Sequence, residues 1–269
     1  RPDESFFAFL FGQGSSYETI RSQFREALSD ASVKAIVFDI DSPGGEVDGL
    51  FDLVDEIYQA KGTKPIYAIA NENTYSAAYA IASAADKIFL PRTGGVGSIG
   101  IIAVHMDQSG WDEKIGVRYT PIYSGARKND FSVHEPLSDE ALVSAQARID
   151  SLYDLFVDTV ARNRGMKVED VRATEAGLYY GREAVTKGLA DMVQPWGLAV
   201  NTIIQENKKK GGSNQMAIKE DLETMMKEHP DEMATALSGM GFVLAGNNKL
   251  MNPEDLERAT SESASAAHS

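Results

Sequence analysis

Two hydrophobic periods alternate along the chain, and together they predict a repeated β-α-β unit. Across residues 16–28, Ile20, Phe24, Ala27 and Leu28 recur at helical spacing behind Ser16, which can cap, with Glu18 in the first turn. Residues 33–40 form a nearly continuous apolar run, as a buried strand does, and Asp41-Ser42-Pro43-Gly44-Gly45 ends it in a tight turn. Leu50, Leu53, Val54 and Ile57 then line one face of a second helix. A second strand is predicted over 66–70, a helix of small residues over 76–85 and a third strand over 87–90. Strands linked by helices imply a mainly parallel sheet with right-handed crossovers. The fold class is therefore α/β, with ligand chemistry expected beyond the carboxyl ends of the strands.

Further along, the apolar runs 99–104 and 117–123 read as additional strands. A long helix is predicted over 138–164, with Leu142, Ile149, Leu152, Phe156, Val157 and Val160 as its stripe and Gly165 as its stop. Beyond Trp196 the character changes. We read 1–200 as one domain, 201–214 as a linker containing Lys208-Lys209-Lys210-Gly211-Gly212, and 215–269 as an acidic tail low in aromatics. Short helices are expected within 215–257 and disorder in the last dozen residues.

Composition narrows the function. A chain of 269 residues with 43% apolar side chains can bury a full core, and its net charge of -14 argues against a nucleic-acid groove. The absence of cysteine rules out disulfides, thiolate metal sites and a cysteine nucleophile. No apolar run approaches the roughly 18 residues that span a bilayer. The chain opens on Arg1, so we expect an upstream segment, with Phe6 to Phe11 supplying part of a first strand. The glycine-rich stretch 93–100 lacks a Gly-Lys-Ser/Thr ending and no helix follows it, which weighs against a phosphate cradle.

Three features point to acyl transfer. The Asp41-to-Gly45 turn offers free backbone N–H groups at one strand end, and Gly44 and Gly45 let a substrate backbone approach. Ser76 stands at the end of the next strand among small residues, where it is either a plain N-cap or a nucleophile. Lys128 stands in a glycine-containing loop after a later strand. Acyl transfer needs a nucleophile, a base and donors aimed at the oxygen that becomes negative. Of the four histidines, His229 and His268 lie in the tail, His105 reads as a packed or edge residue and His134 as a surface-loop residue. A lysine of lowered pKa can serve as base instead, but spacing alone does not single out Lys128.

The motifs Asp39-Ile40-Asp41-Ser42-Pro43-Gly44-Gly45-Glu46-Val47, Tyr75-Ser76-Ala77-Ala78-Tyr79, Gly95-Val96-Gly97-Ser98-Ile99-Gly100 and Ser124-Gly125-Ala126-Arg127-Lys128-Asn129-Asp130 stand in a distinctive order. With a closing stretch from Tyr180 to Asp191, they cover about residues 16–195. In these the chain resembles the signal peptide peptidase A family of serine peptidases, and within it the phage head maturation proteases of the minor capsid protein C type. The resemblance implies a ClpP/crotonase-like fold and a Ser-Lys dyad without metal or cofactor. Ser76 would be the nucleophile, Lys128 the general base, and Ser98 the residue orienting that lysine. The backbone N–H groups of Gly45 and Ala77 would hold the oxyanion.

The same resemblance implies protein or peptide substrates, a homo-oligomer, and phage capsid, portal or scaffold partners, in a prohead, virion or host cytoplasm. The tail would be a scaffold-like extension. The alternatives are a cellular peptidase degrading signal peptides, membrane-associated through an upstream anchor, and a capsid assembly scaffold without turnover.

Overall fold

The computed structural model describes residues 15–210 and two short strands, Val243–Ala245 and Lys249–Met251. Helix α1 (Tyr17–Ser29) starts at Ser16, whose hydroxyl accepts from the Thr19 amide, and it buries Phe24. Strand β1 (Ile36–Ser42) leads through the glycine turn to α2 (Leu50–Gln59), and β2 (Ile66–Tyr75) leads to α3 (Ala77–Ser83). There follow β3 (Lys87–Leu90), β4 (Gly95–Gly97), α4 (Ser109–Ile115), α5 (Asp139–Arg164) and α6 (Val168–Arg172). The domain closes with β5 (Leu178–Tyr180), α7 (Gly181–Thr186), β6 (Met192–Val193) and α8 (Trp196–Lys210).

The fold is mixed α/β, organised around β2. Parallel β1 pairs along one edge of β2, while β3 and β4 share the other edge, at residues 67–69 and 73–75 respectively. Parallel β6 extends the sheet beyond β3, and antiparallel β5 extends it beyond β4. Side chains of a strand alternate between faces. Accordingly Ile66, Ala68 and Ala70 join Leu53, Val54, Ile57, Phe156 and Val160 in the main core, whereas Tyr67 and Ile69 pack with Phe89 against Ala199 and Ile203 of α8. Both faces are covered by helices, which is why β2 begins as an unbroken apolar run.

Five features depart from the reading of the sequence. Strand β2 runs past Ala70 through polar residues to Tyr75. Its register against β1 jumps from Ile40↔Ala70 to Ser42↔Thr74, a bulge in which Glu72 has φ 74°. Asp41 stitches the bulge by accepting from the Asn73 amide at 3.2 Å and from its side-chain nitrogen at 3.1 Å. This extra length carries β2 to β4.

The runs 99–104 and 117–123 form no ladder. The edge of β4 is already taken by β5, so the chain leaves the sheet after Gly97, with Ile102 at 85% and Ile122 at 95% exposure. Helix α4, short and weakly periodic, lies between them.

The small-residue helix is narrower than 76–85, because Ser76 stands outside it in a non-helical conformation. Residues 201–210 are helical rather than linker, and Ile203 is buried. Within the tail, Val243–Ala245 and Lys249–Met251 pair as antiparallel strands where short helices were expected. Phe6 to Phe11, the glycines of the 211–214 stretch and the rest of the tail lie outside the described residues.

The long helix matches its reading at both ends. The Ser138 hydroxyl accepts from the Ala141 amide, and Gly165 terminates the helix at φ 64°. Its second half meets the main core, through Phe156, Val157, Val160 and Ala161, while in the first half Ala141 is buried and Leu142 half exposed.

Candidate active site

Ser76 occupies the one-residue link between β2 and α3 with φ 52° and ψ −124°, a conformation that L residues avoid at a cost of about 1–3 kcal/mol. The surroundings hold it there. Its amide donates to the Gly97 carbonyl at 2.9 Å and its carbonyl accepts from Ala80 at 2.9 Å. Just before it, buried Thr74 donates its hydroxyl to the Ile40 carbonyl at 3.1 Å. After it, Ala77, Ala78 and Ala80 are small enough for α3 to sink into the core, where the Tyr79 hydroxyl donates to the Leu189 carbonyl at 2.9 Å. With both backbone groups of Ser76 fixed, its half-buried hydroxyl makes no hydrogen bond to another of the described residues.

The glycine turn after β1 lies directly against this serine. Gly44 has φ 132°, and a methyl placed there would stand 2.9 Å from the Ser76 Cβ and 3.3 Å from its Oγ. Ser42 closes the turn, its hydroxyl accepting from the Gly44 amide and donating to the Gly44 carbonyl, each at 3.2 Å. Among the described residues the Gly45 amide meets no protein acceptor. The Ala77 amide, first in α3, has no intrahelical acceptor either. A methyl on Gly45 would stand 3.8 Å from the Ala77 Cβ, so the two residues are neighbours beside Ser76.

Ser98 follows β4 with φ 53°, its amide donating to the Gly177 carbonyl at 2.9 Å. It sits one residue from Gly97, which holds Ser76. The structure therefore gathers Ser76, Gly44, Gly45 and Ala77, with Ser98 alongside.

Lys128 is placed differently. It is exposed in a turn where its amide donates to Gly125 at 3.0 Å, and it makes no hydrogen bond with Ser76 or Ser98. Its neighbours pair among themselves, Arg127 with Asp130 at 2.9 Å and Asn129 with Glu135 at 3.1 Å. The histidines are engaged nearby. His105 contacts the Ser132 carbonyl at 3.1 Å, while His134 pairs with buried Asp112 at 2.8 Å and stacks on Tyr119. His134 is thus a partly buried, paired residue and not a simple surface-loop residue.

One residue of this region escaped the sequence reading. Tyr17, at the start of α1, donates its hydroxyl to the Glu46 carbonyl at 2.6 Å. Burial, with the charge of Glu46 adding to it, pushes its phenol up to about 12. An aromatic residue opening an amphipathic helix carries no sequence signal for such a contact. Among the described residues no cluster of three or more His, Asp or Glu could hold a metal ion, and no helix is long and apolar enough to cross a membrane.

The chain is similar to several known proteins. The family described as Peptidase family S49 matches residues 58–210. The Head-tail preconnector protein GP5 of Enterobacteria phage P21 is 37% identical over 181 residues, covering 67% of this chain and 36% of that protein. The Capsid assembly protease C of Escherichia phage lambda is 38% identical over 177 residues, covering 66% of this chain and 40% of that protein. The chain thus spans well under half the length of these two relatives. Among solved structures, a ClpP1 mutant from Listeria monocytogenes aligns over 66% of this chain and 82% of that one, with TM-score 0.42 and 16% identity.

Proposed function

From the premise that this chain belongs to peptidase family S49, we propose that it is a serine endopeptidase using Ser76 and Lys128 to cut phage capsid, portal or scaffold proteins during head maturation. Neutral Lys128 takes the Ser76 proton as Oγ attacks the peptide carbonyl, and Ser98 orients the lysine. The Gly45 and Ala77 amides stabilise the oxyanion, the lysine then protonates the leaving amine, and water releases the acyl group. In that last step the water's hydroxyl joins the acyl carbon, and its proton, passed through Lys128, restores the Ser76 hydroxyl. Gly44, without a side chain, lets the turn pack directly against the nucleophile.

The observation that carries the reading is Ser76 itself. A serine held at φ 52° between a strand and a helix, against a side-chain-free turn with an unused amide, is costly to maintain and useful for nucleophilic attack. The exposed position of Lys128 requires a further step, in which the 99–137 segment is reset as copies of the chain associate. The exposed apolar side chains on that segment support such association.

The test is co-expression of the chain with its neighbouring capsid and portal proteins, followed by intact mass analysis. Cleavage should vanish in both Ser76→Ala and Lys128→Ala. Cleavage persisting in either variant would remove that residue from the mechanism.

A further inference from the structure

The turn that carries the Gly45 amide has little to hold it from within. Among the described residues its one internal side-chain staple is the Ser42 hydroxyl, at 3.2 Å from each of two Gly44 backbone atoms, and two adjacent glycines bring maximal backbone freedom. Tyr17 supplies the missing restraint from outside. Its hydroxyl donates to the Glu46 carbonyl at 2.6 Å and lies 2.8 Å from where a methyl on Gly45 would stand, and its ring edge is 3.9 Å from the corresponding position on Gly49. The turn also meets Ser76 through Gly44 and Ala77 through Gly45. The glycine pair is therefore held between a phenol and the serine junction.

We infer that Tyr17 is a positioning residue for acyl transfer: by fixing the Glu46 carbonyl, its hydroxyl keeps the Gly45 amide aimed at the oxygen that becomes negative when Ser76 attacks. The inference rests on the peptidase reading above. Its raised phenol pKa keeps Tyr17 a hydrogen-bond donor throughout the neutral range. Gly45 fits the same picture, because any larger residue there would collide with the hydroxyl that restrains it.

The test uses an alkyl fluorophosphonate, with which Ser76 Oγ forms a bond to phosphorus, fluoride leaves, and the phosphoryl oxygen occupies the place of the carbonyl oxygen. Inactivation kinetics are read on the full chain, Tyr17→Phe, Ser76→Ala and Ser16→Ala, well below each thermal midpoint. Ser16→Ala weakens the same end of α1 by removing its cap and leaves the phenol intact. We expect Tyr17→Phe to lower the limiting labelling rate about tenfold at unchanged probe affinity, as an indirect loss of an oxyanion donor should. Ser16→Ala should label at the unaltered rate and Ser76→Ala not at all.

An unchanged rate in Tyr17→Phe, or equal slowing in Ser16→Ala, overturns the positioning role and leaves the Ser76 reading standing. An unaltered chain that does not label overturns the Ser76 reading itself, and the role of Tyr17 with it.

Discussion

Gly44 and Ser76 touch: a methyl on the glycine would stand 2.9 Å from the serine Cβ, closer than a real methyl can approach. The glycine also has φ 132°, which L side chains rarely adopt. Gly44→Ala meets both penalties and can relieve them only by moving the turn or the serine. We expect a stability loss of about 2–3 kcal/mol in urea unfolding, with loss of acylation at Ser76. A variant that folds and labels normally would show that the contact has no part in the site.

Lys128 gives the opposite pattern. Its side chain is exposed and unpaired with Ser76 or Ser98, so Lys128→Ala should leave unfolding within about 0.5 kcal/mol of the unaltered chain. Substrate cleavage should nonetheless be lost. Denaturant titration and a cleavage assay on one preparation separate the two effects, and a large stability loss would mean that the lysine is structural.

What the sequence disclosed and what it concealed follow from how each segment finds its partners. The apolar runs that open at Ile66 and Ile88 are buried between helices on both faces of the sheet, so their unbroken apolar character marked them as strands. Ile102 and Ile122 lie in runs of the same apolar character, but no sheet edge is left for them. A β-branched run looks alike whether it meets a strand within its own chain or awaits another surface. The extension of β2 to Tyr75 was hidden for the converse reason: Asn71, Glu72 and Asn73 are polar because their ladder is bulged and partly exposed. Of the site, spacing and residue size marked Ser76 and the two glycines as neighbouring strand ends but left the serine open between a cap and a nucleophile, whereas the hydroxyl of Tyr17 depends on a contact across 29 residues.

At alkaline pH, the phenols of Tyr17 and Tyr79 should resist ionisation until the chain unfolds. Burial is the main cause for both, and it raises Tyr17 from 10.0 to about 12. A group whose pKa is raised by folding contributes stability that is present below the unfolded value and lost as pH rises through the folded one. Stability should therefore fall between about pH 10 and 12, with Tyr17 contributing at most about 2 kcal/mol after its partial exposure is allowed for. Phenolate absorbance followed against circular dichroism checks this. Ionisation of all tyrosines ahead of unfolding would contradict it.

Arg164 and Asp191 tie the end of α5 to the sheet. Two guanidinium nitrogens meet the two carboxylate oxygens at 3.0 Å each, the remaining nitrogen reaches the Gly188 carbonyl at 3.2 Å, and Asp191 also accepts from the Ile88 amide at 2.7 Å. The arginine is 7% exposed, so Arg164→Ala strands a carboxylate that was built to be paired. We expect a loss of about 3 kcal/mol, little recovered by Arg164→Lys because a lysine cannot reproduce the planar two-point contact. Urea midpoints of the two variants provide the measurement.

The segment that carries Lys128 also carries much of the exposed apolar surface. Ile102, Val104, Trp111 and Ile122 are 85%, 83%, 62% and 95% exposed, a density out of keeping with an isolated water-facing loop. If copies of the chain cover these side chains, the same contact repositions the lysine, and association and activity must fail together. Sedimentation of the unaltered chain should then give a mass above that of one chain. Trp111→Glu combined with Ile122→Glu should return it to a single chain and abolish cleavage, although neither side chain belongs to the proposed chemistry. Dissociation with cleavage intact would mean that each copy completes its own site, and an unchanged mass would move the interface elsewhere.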